Sequence, residues 1–109
     1  MLTFQLLTLF PEYFTSPLSC GLMGKALENE VIKVSLTNPR DFARDRHRSV
    51  DDRPYGGGPG MVMSLEPLLR AMQSLPDPGR VITLSPQGRP LNQSRAAELA
   101  GENRLTVIC

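Results

Sequence analysis

The run Asp51-Asp52-Arg53-Pro54-Tyr55-Gly56-Gly57-Gly58-Pro59-Gly60-Met61 concentrates the residue types best suited to holding a ligand. Its four glycines in five residues admit positive φ angles and close approach of backbone to a bound group, while Pro54 and Pro59 restrict the loop. No Gly-Lys-Ser/Thr follows, so it is not a phosphate-binding Walker loop. No strand leads directly into it, so it is not a dinucleotide turn either. Composition leaves two readings open, a structural Gly/Pro turn and a binding loop. Asp51 and Asp52 have the chemistry of an acid, a base or a metal ligand. Beside Arg44, Arg46, Arg48 and Arg53 they fit better as parts of a solvated ion-pair network.

A second candidate is Ser85-Pro86-Gln87-Gly88-Arg89-Pro90. It follows a predicted strand, where α/β proteins place ligand-binding turns. Gly88 can take a left-handed angle, and the amides and carbonyls of such a turn can read an adenine edge or a ribose without a side-chain catalyst. The alternative is an ordinary strand-to-helix turn. His47 is the one imidazole of the chain, and Ser64, Ser85 and Cys20 have no histidine neighbour to activate them. Hydrolysis by a triad is therefore disfavoured. Cys20 and Cys109 lie far apart with no CxxC, which supports neither a disulfide framework nor a zinc site. No catalytic residue and no metal ligand is assigned.

The elements that must position these turns follow from the hydrophobic pattern. At 109 residues there is room for one domain, and 40% hydrophobic with 21% charged residues marks a globular chain. No run approaches the roughly 18 apolar residues of a membrane helix. Met1 to Phe10 lacks a basic leader and a small-residue cleavage site, so it reads as a strand of a cytoplasmic protein with no membrane partner. The pattern predicts a strand over Leu2–Phe10 and a helix from a Ser16-Pro17 start to about Glu28. A strand over Val31–Leu36 follows. Periodicity then vanishes between Pro39 and Gly60, and a loop of that length is usually functional or disordered. Ser64 is expected to cap a helix with Leu65, Leu68, Leu69, Met72 and Leu75 on one face. A strand over Val81–Leu84, a helix capped by Asn92 and a final strand over Leu105–Cys109 complete the chain. Alternating strands and helices predict an α/β fold with a mostly parallel open sheet and flanking helices. The net charge of +1 provides no overall field for steering toward nucleic acid. The basic residues are nevertheless ten Arg to two Lys, and five of the Arg fall between Arg40 and Arg53. Arginine favours bidentate contacts to carboxylate or phosphate.

Three ordered segments, LTLFPEYF, NPRDFARDRHRSVDDRPYGGGPGM and LSPQGRPL, resemble the amino-terminal half of the bacterial tRNA (guanine-N1)-methyltransferases, the TrmD family. The resemblance implies that residues 1–109 are the amino-terminal part of a cofactor-binding methyltransferase domain of the knotted SPOUT type. On this reading the chain stops before the knot is completed, and the carboxy-terminal tRNA-binding domain is absent. It further implies S-adenosylmethionine as methyl donor, with room for a magnesium ion, tRNA as substrate and a homodimer that builds each site from both subunits. By motif, Leu84, Ser85, Pro86, Gln87 and Gly88 belong to the cofactor pocket. Asp52, Arg53, Tyr55, Gly56, Gly57, Gly58, Pro59 and Gly60 shape the site for the guanosine 3′ of the anticodon. Arg40, Arg44, Arg46 and Arg48 become candidate contacts to the RNA backbone or to the partner subunit. The resemblance also implies that the fragment alone is inactive. Two other classes compete with it: a non-catalytic scaffold or dimerisation fragment, and a small nucleotide-binding module built on GGGPG.

Overall fold

The computed structural model describes residues 1–43, 51–52, 62–63 and 65–109. Its main sheet has four strands in the order β2-β1-β6-β5: β1 (Leu2–Leu7), β2 (Ile32–Thr37), β5 (Arg80–Thr83) and β6 (Arg104–Ile108). All three ladders are parallel, with Phe4 opposite both Val34 and Leu105, and Ile82 opposite Val107. The expected mostly parallel sheet with flanking helices is therefore present. A separate antiparallel ladder joins β3 (Asp51–Asp52) to β4 (Val62–Met63), inside and just beyond the stretch where the sequence shows no period.

β1 ends at Leu7, three residues before the Phe10 suggested by the apolar run. The Thr8 hydroxyl accepts a hydrogen bond from the Phe10 amide at 3.1 Å, which turns the chain into a 3-10 turn over Pro11–Phe14. That turn runs straight into α1 (Thr15–Ser19), so Ser16 is not a cap. Its carbonyl instead accepts from Ser19 Oγ at 2.9 Å and from Cys20 Sγ at 3.0 Å. The single helix expected to Glu28 is split at Cys20, whose backbone is extended, and α2 (Gly21–Glu28) begins at a glycine with φ +63°. An L residue rarely adopts that angle, so Gly21 is what allows the chain to change direction there.

α3 (Leu65–Gln73) buries Pro67 and Ala71 rather than the leucines that its spacing suggests. Leu65 is 66% exposed and Leu69 is 48% exposed. The buried side turns toward a second 3-10 turn, Pro39–Phe42, started by Asn38, whose side chain accepts from the Arg40 amide at 3.0 Å. Arg70 Nη1 donates to the Phe42 carbonyl at 2.9 Å and fastens α3 to this turn. α4 (Gln93–Ala100) starts as expected, with the Asn92 side chain accepting from the Arg95 amide at 2.8 Å.

Parallel crossovers are right-handed. The steps from β1 to β2 and from β5 to β6 run in the same direction across the sheet, which puts α1, α2 and α4 on one face and α3 on the other. On the α3 face the centre of the core is Leu7, Gln5 and Thr106, all buried. The α4 face carries Leu2, Phe4, Ile82, Leu105 and Val107.

Candidate functional site

β5 ends at Thr83, and the Leu84 amide still pairs with the Ile108 carbonyl at 3.1 Å before the chain leaves the sheet. The turn that follows is held by Ser85. Its Oγ accepts from the Gln87 amide and its carbonyl from the Gly88 amide, both at 3.1 Å. Proline at 86 suits the second position of such a turn because its φ is already set. Gly88 does not adopt the left-handed angle anticipated for it; the glycines at positive φ among the described residues are Gly21 and Gly79. Two local hydrogen bonds are enough to close the turn without it.

This turn forms one wall of a cavity of about 760 Å³ between α4 and the sheet. The floor is Leu2, Phe4, Leu105 and Val107, and α4 supplies Ala96 and Leu99. Of the five residues proposed for a cofactor, Leu84, Ser85, Pro86 and Gly88 line the cavity and Gln87 does not. Arg89 and Pro90, which belong to the same candidate turn in the sequence, also line it, whereas sequence reasoning missed Leu91 and the cavity side of α4. The apolar spacing of Ala96, Leu99 and Ala100 was the available signal, but it indicates a buried face as readily as a cavity.

No aspartate or glutamate lines the cavity among the described residues, while Arg89 and Arg95 do. Arg95 is committed to Glu98 at 3.3 Å, and Glu98 is shared with Arg80 at 3.2 Å. The hydrogen bond from Arg80, reinforced by the charge of Arg95, holds the Glu98 carboxyl below the usual range. Arg80 is raised in turn, first by its hydrogen bonds to Glu98 and Glu102. A cleft of about 230 Å³ adjoins the cavity, lined by Arg89, Pro90, Asn92, Ser94, Arg95 and Glu98. Apolar walls, a backbone turn and an adjoining polar cleft suit an organic ligand that has one large apolar or aromatic part and one charged end.

Of the second group of proposed residues, Asp52 lies in β3, paired with Val62. Arg53, Tyr55, Gly56, Gly57, Gly58, Pro59 and Gly60 lie outside the described residues, as do Arg44, Arg46, His47 and Arg48. Arg40 stands half-buried in the Pro39–Phe42 turn. Cys20 and Cys109 are both exposed free thiols. Cys109 Sγ lies 3.6 Å from the Leu7 carbonyl, and partial burial pushes its thiol up. No cluster of His, Cys, Asp and Glu suited to a metal occurs among the described residues. No helix among them is long and apolar enough to cross a membrane.

The profile of the family described as tRNA (Guanine-1)-methyltransferase TrmD matches residues 2–109. A protein of Oleidesulfovibrio alaskensis named tRNA (guanine-N(1)-)-methyltransferase is 59% identical over 106 residues, covering 97% of this chain and 25% of that protein. One of the same name from Synechococcus sp. (strain JA-3-3Ab) is 56% identical over 108 residues, covering 97% of this chain and 43% of the relative. The crystal structure of tRNA (m1G37) methyltransferase from Aquifex aeolicus superposes with a TM-score of 0.84 at 35% identity, over 99% of this chain and 50% of that one. The chain thus spans between a quarter and a half of the length of these proteins. With a family profile matched from residue 2 to residue 109 and a shared fold at 35% identity, the chain belongs to the tRNA (guanine-1)-methyltransferase family, TrmD.

Proposed function

We propose that this chain supplies part of the cofactor and guanosine sites of a methyltransferase that modifies N1 of the guanosine 3′ of the anticodon in tRNA. The reading includes S-adenosylmethionine as donor, a homodimer, the knotted fold of the family and a cytoplasmic location. The observation that carries it is the cavity beside the Leu84–Gly88 turn, at the carboxyl end of a parallel strand, in a chain of this family. A volume of about 760 Å³ falls within the range of small-molecule sites, and the apolar walls suit an adenine ring. When bound, S-adenosylmethionine supplies a sulfonium-activated methyl group. The chain's own part is to position it. Leu84 and Pro86 pack against the nucleoside, while the hydrogen bonds from the Gln87 and Gly88 amides to Ser85 keep the turn in one conformation. Such positioning lowers the barrier by removing the entropy of bringing donor and acceptor together.

The reaction also needs a group to take the guanine N1 proton. No acid lines the cavity among the described residues, and Asp51 and Asp52 are not assigned that role. The base is not assigned to any of these residues, and the chain, which spans a quarter to a half of its relatives' length, is expected to be inactive alone.

The test is transfer of a labelled methyl group from S-adenosylmethionine to a tRNA transcript with guanosine 3′ of the anticodon, with and without magnesium. This chain is compared with a form extended to the length of its relatives. Transfer by the extended form alone is the expected result. Absence of transfer by both would refute the reading. A scaffold or dimerisation role draws on a different observation, the exposure of Tyr13 (75%), Leu22 (86%) and Leu65 (66%). Light scattering that finds only monomer at high concentration would exclude it.

A further inference from the structure

We infer that Arg89 sets the orientation of the cavity's occupant by holding its carboxylate. The inference rests on the cofactor reading above, and the carboxylate is that of the methionyl end of S-adenosylmethionine. Two cations line the cavity, and they differ in availability. Arg95 Nη1 is paired with Glu98 at 3.3 Å, whereas Arg89 has no hydrogen bond or ion pair among the described residues. Both arginines line the apolar cavity and the adjoining polar cleft, so Arg89 stands on the boundary between them with its guanidinium uncommitted.

A charged amino-acid end is costly to bury among Leu2, Phe4, Leu105 and Val107, so it must stay at the polar boundary while the nucleoside takes the apolar side. The carboxylate is the one anionic group of the ligand, and a guanidinium can hold both its oxygens at once. The sulfonium, which a guanidinium repels, is then directed away from Arg89. Lysine at this position keeps the charge but loses the planar fork.

The experiment is calorimetric titration of the protein in its full natural length with S-adenosylhomocysteine and with 5′-methylthioadenosine, which shares the thioether nucleoside but has no carboxylate. Wild type is expected to prefer the carboxylate-bearing ligand by about tenfold or more, the size of a charge-assisted hydrogen-bonded contact. Arg89→Ala should remove most of that preference and leave the dissociation constant for 5′-methylthioadenosine unchanged, while Arg89→Lys should restore it in part. Both variants are expected to keep the wild-type affinity for tRNA. An unchanged ratio between the two ligands in Arg89→Ala, with tight wild-type binding, would overturn the role of Arg89 alone. So would a loss of tRNA affinity with the ratio intact, which would make Arg89 an RNA-backbone contact. Failure of wild type to bind either ligand would overturn the cofactor reading itself.

Discussion

Gln5 and Thr106 sit opposite each other in the β1–β6 ladder, and the Gln5 amide donates to the Thr106 hydroxyl at 3.1 Å. The same amide donates to the Asp77 carbonyl at 2.9 Å, and the Thr106 hydroxyl donates to the Pro78 carbonyl. Two buried polar side chains in the middle of the sheet thus clamp the connector that delivers β5, and with it the Ser85 turn. Thr106→Val keeps the shape but takes an acceptor from the buried Gln5 amide and the donor from the half-buried Pro78 carbonyl. A buried group stripped of its partner costs about 1–3 kcal/mol, so the urea midpoint should fall accordingly.

Gly79 follows that connector with φ +61°, and a Cβ there would overlap the Arg104 carbonyl oxygen and lie 2.8 Å from its carbon. Gly21 has nearly the same angle, φ +63°, but open space around it. Gly21→Ala should therefore lose only the conformational term, about 1–2 kcal/mol. Gly79→Ala should lose clearly more, and thermal melts of the two variants side by side separate angle from collision.

Replacing Asn92 by Ala removes the acceptor for the Arg95 amide at the start of α4. Loss of such a cap costs about 1 kcal/mol. Because α4 is a wall of the cavity, hydrogen exchange at the first turn of the helix should quicken more than exchange in β6.

Gly88→Val places a branched side chain on the cavity wall, where even its Cβ stands 3.3 Å from the Ser85 carbonyl oxygen. Gln87 contributes its amide, which Gln87→Ala retains. The expected result is a fall in affinity for the cofactor of about tenfold or more for the valine variant, against little change for the alanine variant. Equilibrium binding measured together with melting temperature distinguishes this from loss of fold.

The depressed carboxyl of Glu98 makes a sign-definite prediction. A group that is more acidic folded than unfolded stabilises the fold fully above its ordinary value, near about 4.3, and loses that contribution as pH falls through the depressed folded value. Wild type and Glu98→Gln should therefore differ by a constant, small amount from pH 7 to about pH 5 and converge as pH falls through the depressed folded value. Urea midpoints against pH would show it, and added salt should shrink the gap, since the pairs with Arg80 and Arg95 are exposed.

The β3–β4 ladder was not legible in the sequence, whereas the four strands of the main sheet were, as short apolar runs, three of them closed by proline or a polar turn. Their ends shifted by one to three residues where a side chain intervened, as the Thr8 hydroxyl does after Leu7. Asn92 was legible as a cap because its role is local. The split at Cys20 was not, since one glycine in a helical pattern is normally tolerated. Nor was the buried face of α3: the leucine spacing was genuine, but Ala71 is small enough to let the Pro39–Phe42 turn approach, and that close packing outweighs the larger side chains. The Ser85 turn could be found as a motif. The cavity could not, because its floor comes from β1 and β6, and only the sheet order brings Phe4 and Val107 to the same place.

That sheet order also bears on how the protein is made. β1 has β2 on one side and β6 on the other, so after leaving the ribosome it waits for a partner about a hundred residues downstream. At about 5–20 residues per second the wait is on the order of 5–20 s, far longer than the collapse of a small chain. Through that interval the edge of β1 that β6 pairs with is open. The nascent chain is therefore expected to be a client for ribosome-associated chaperones until Leu105 and Val107 emerge.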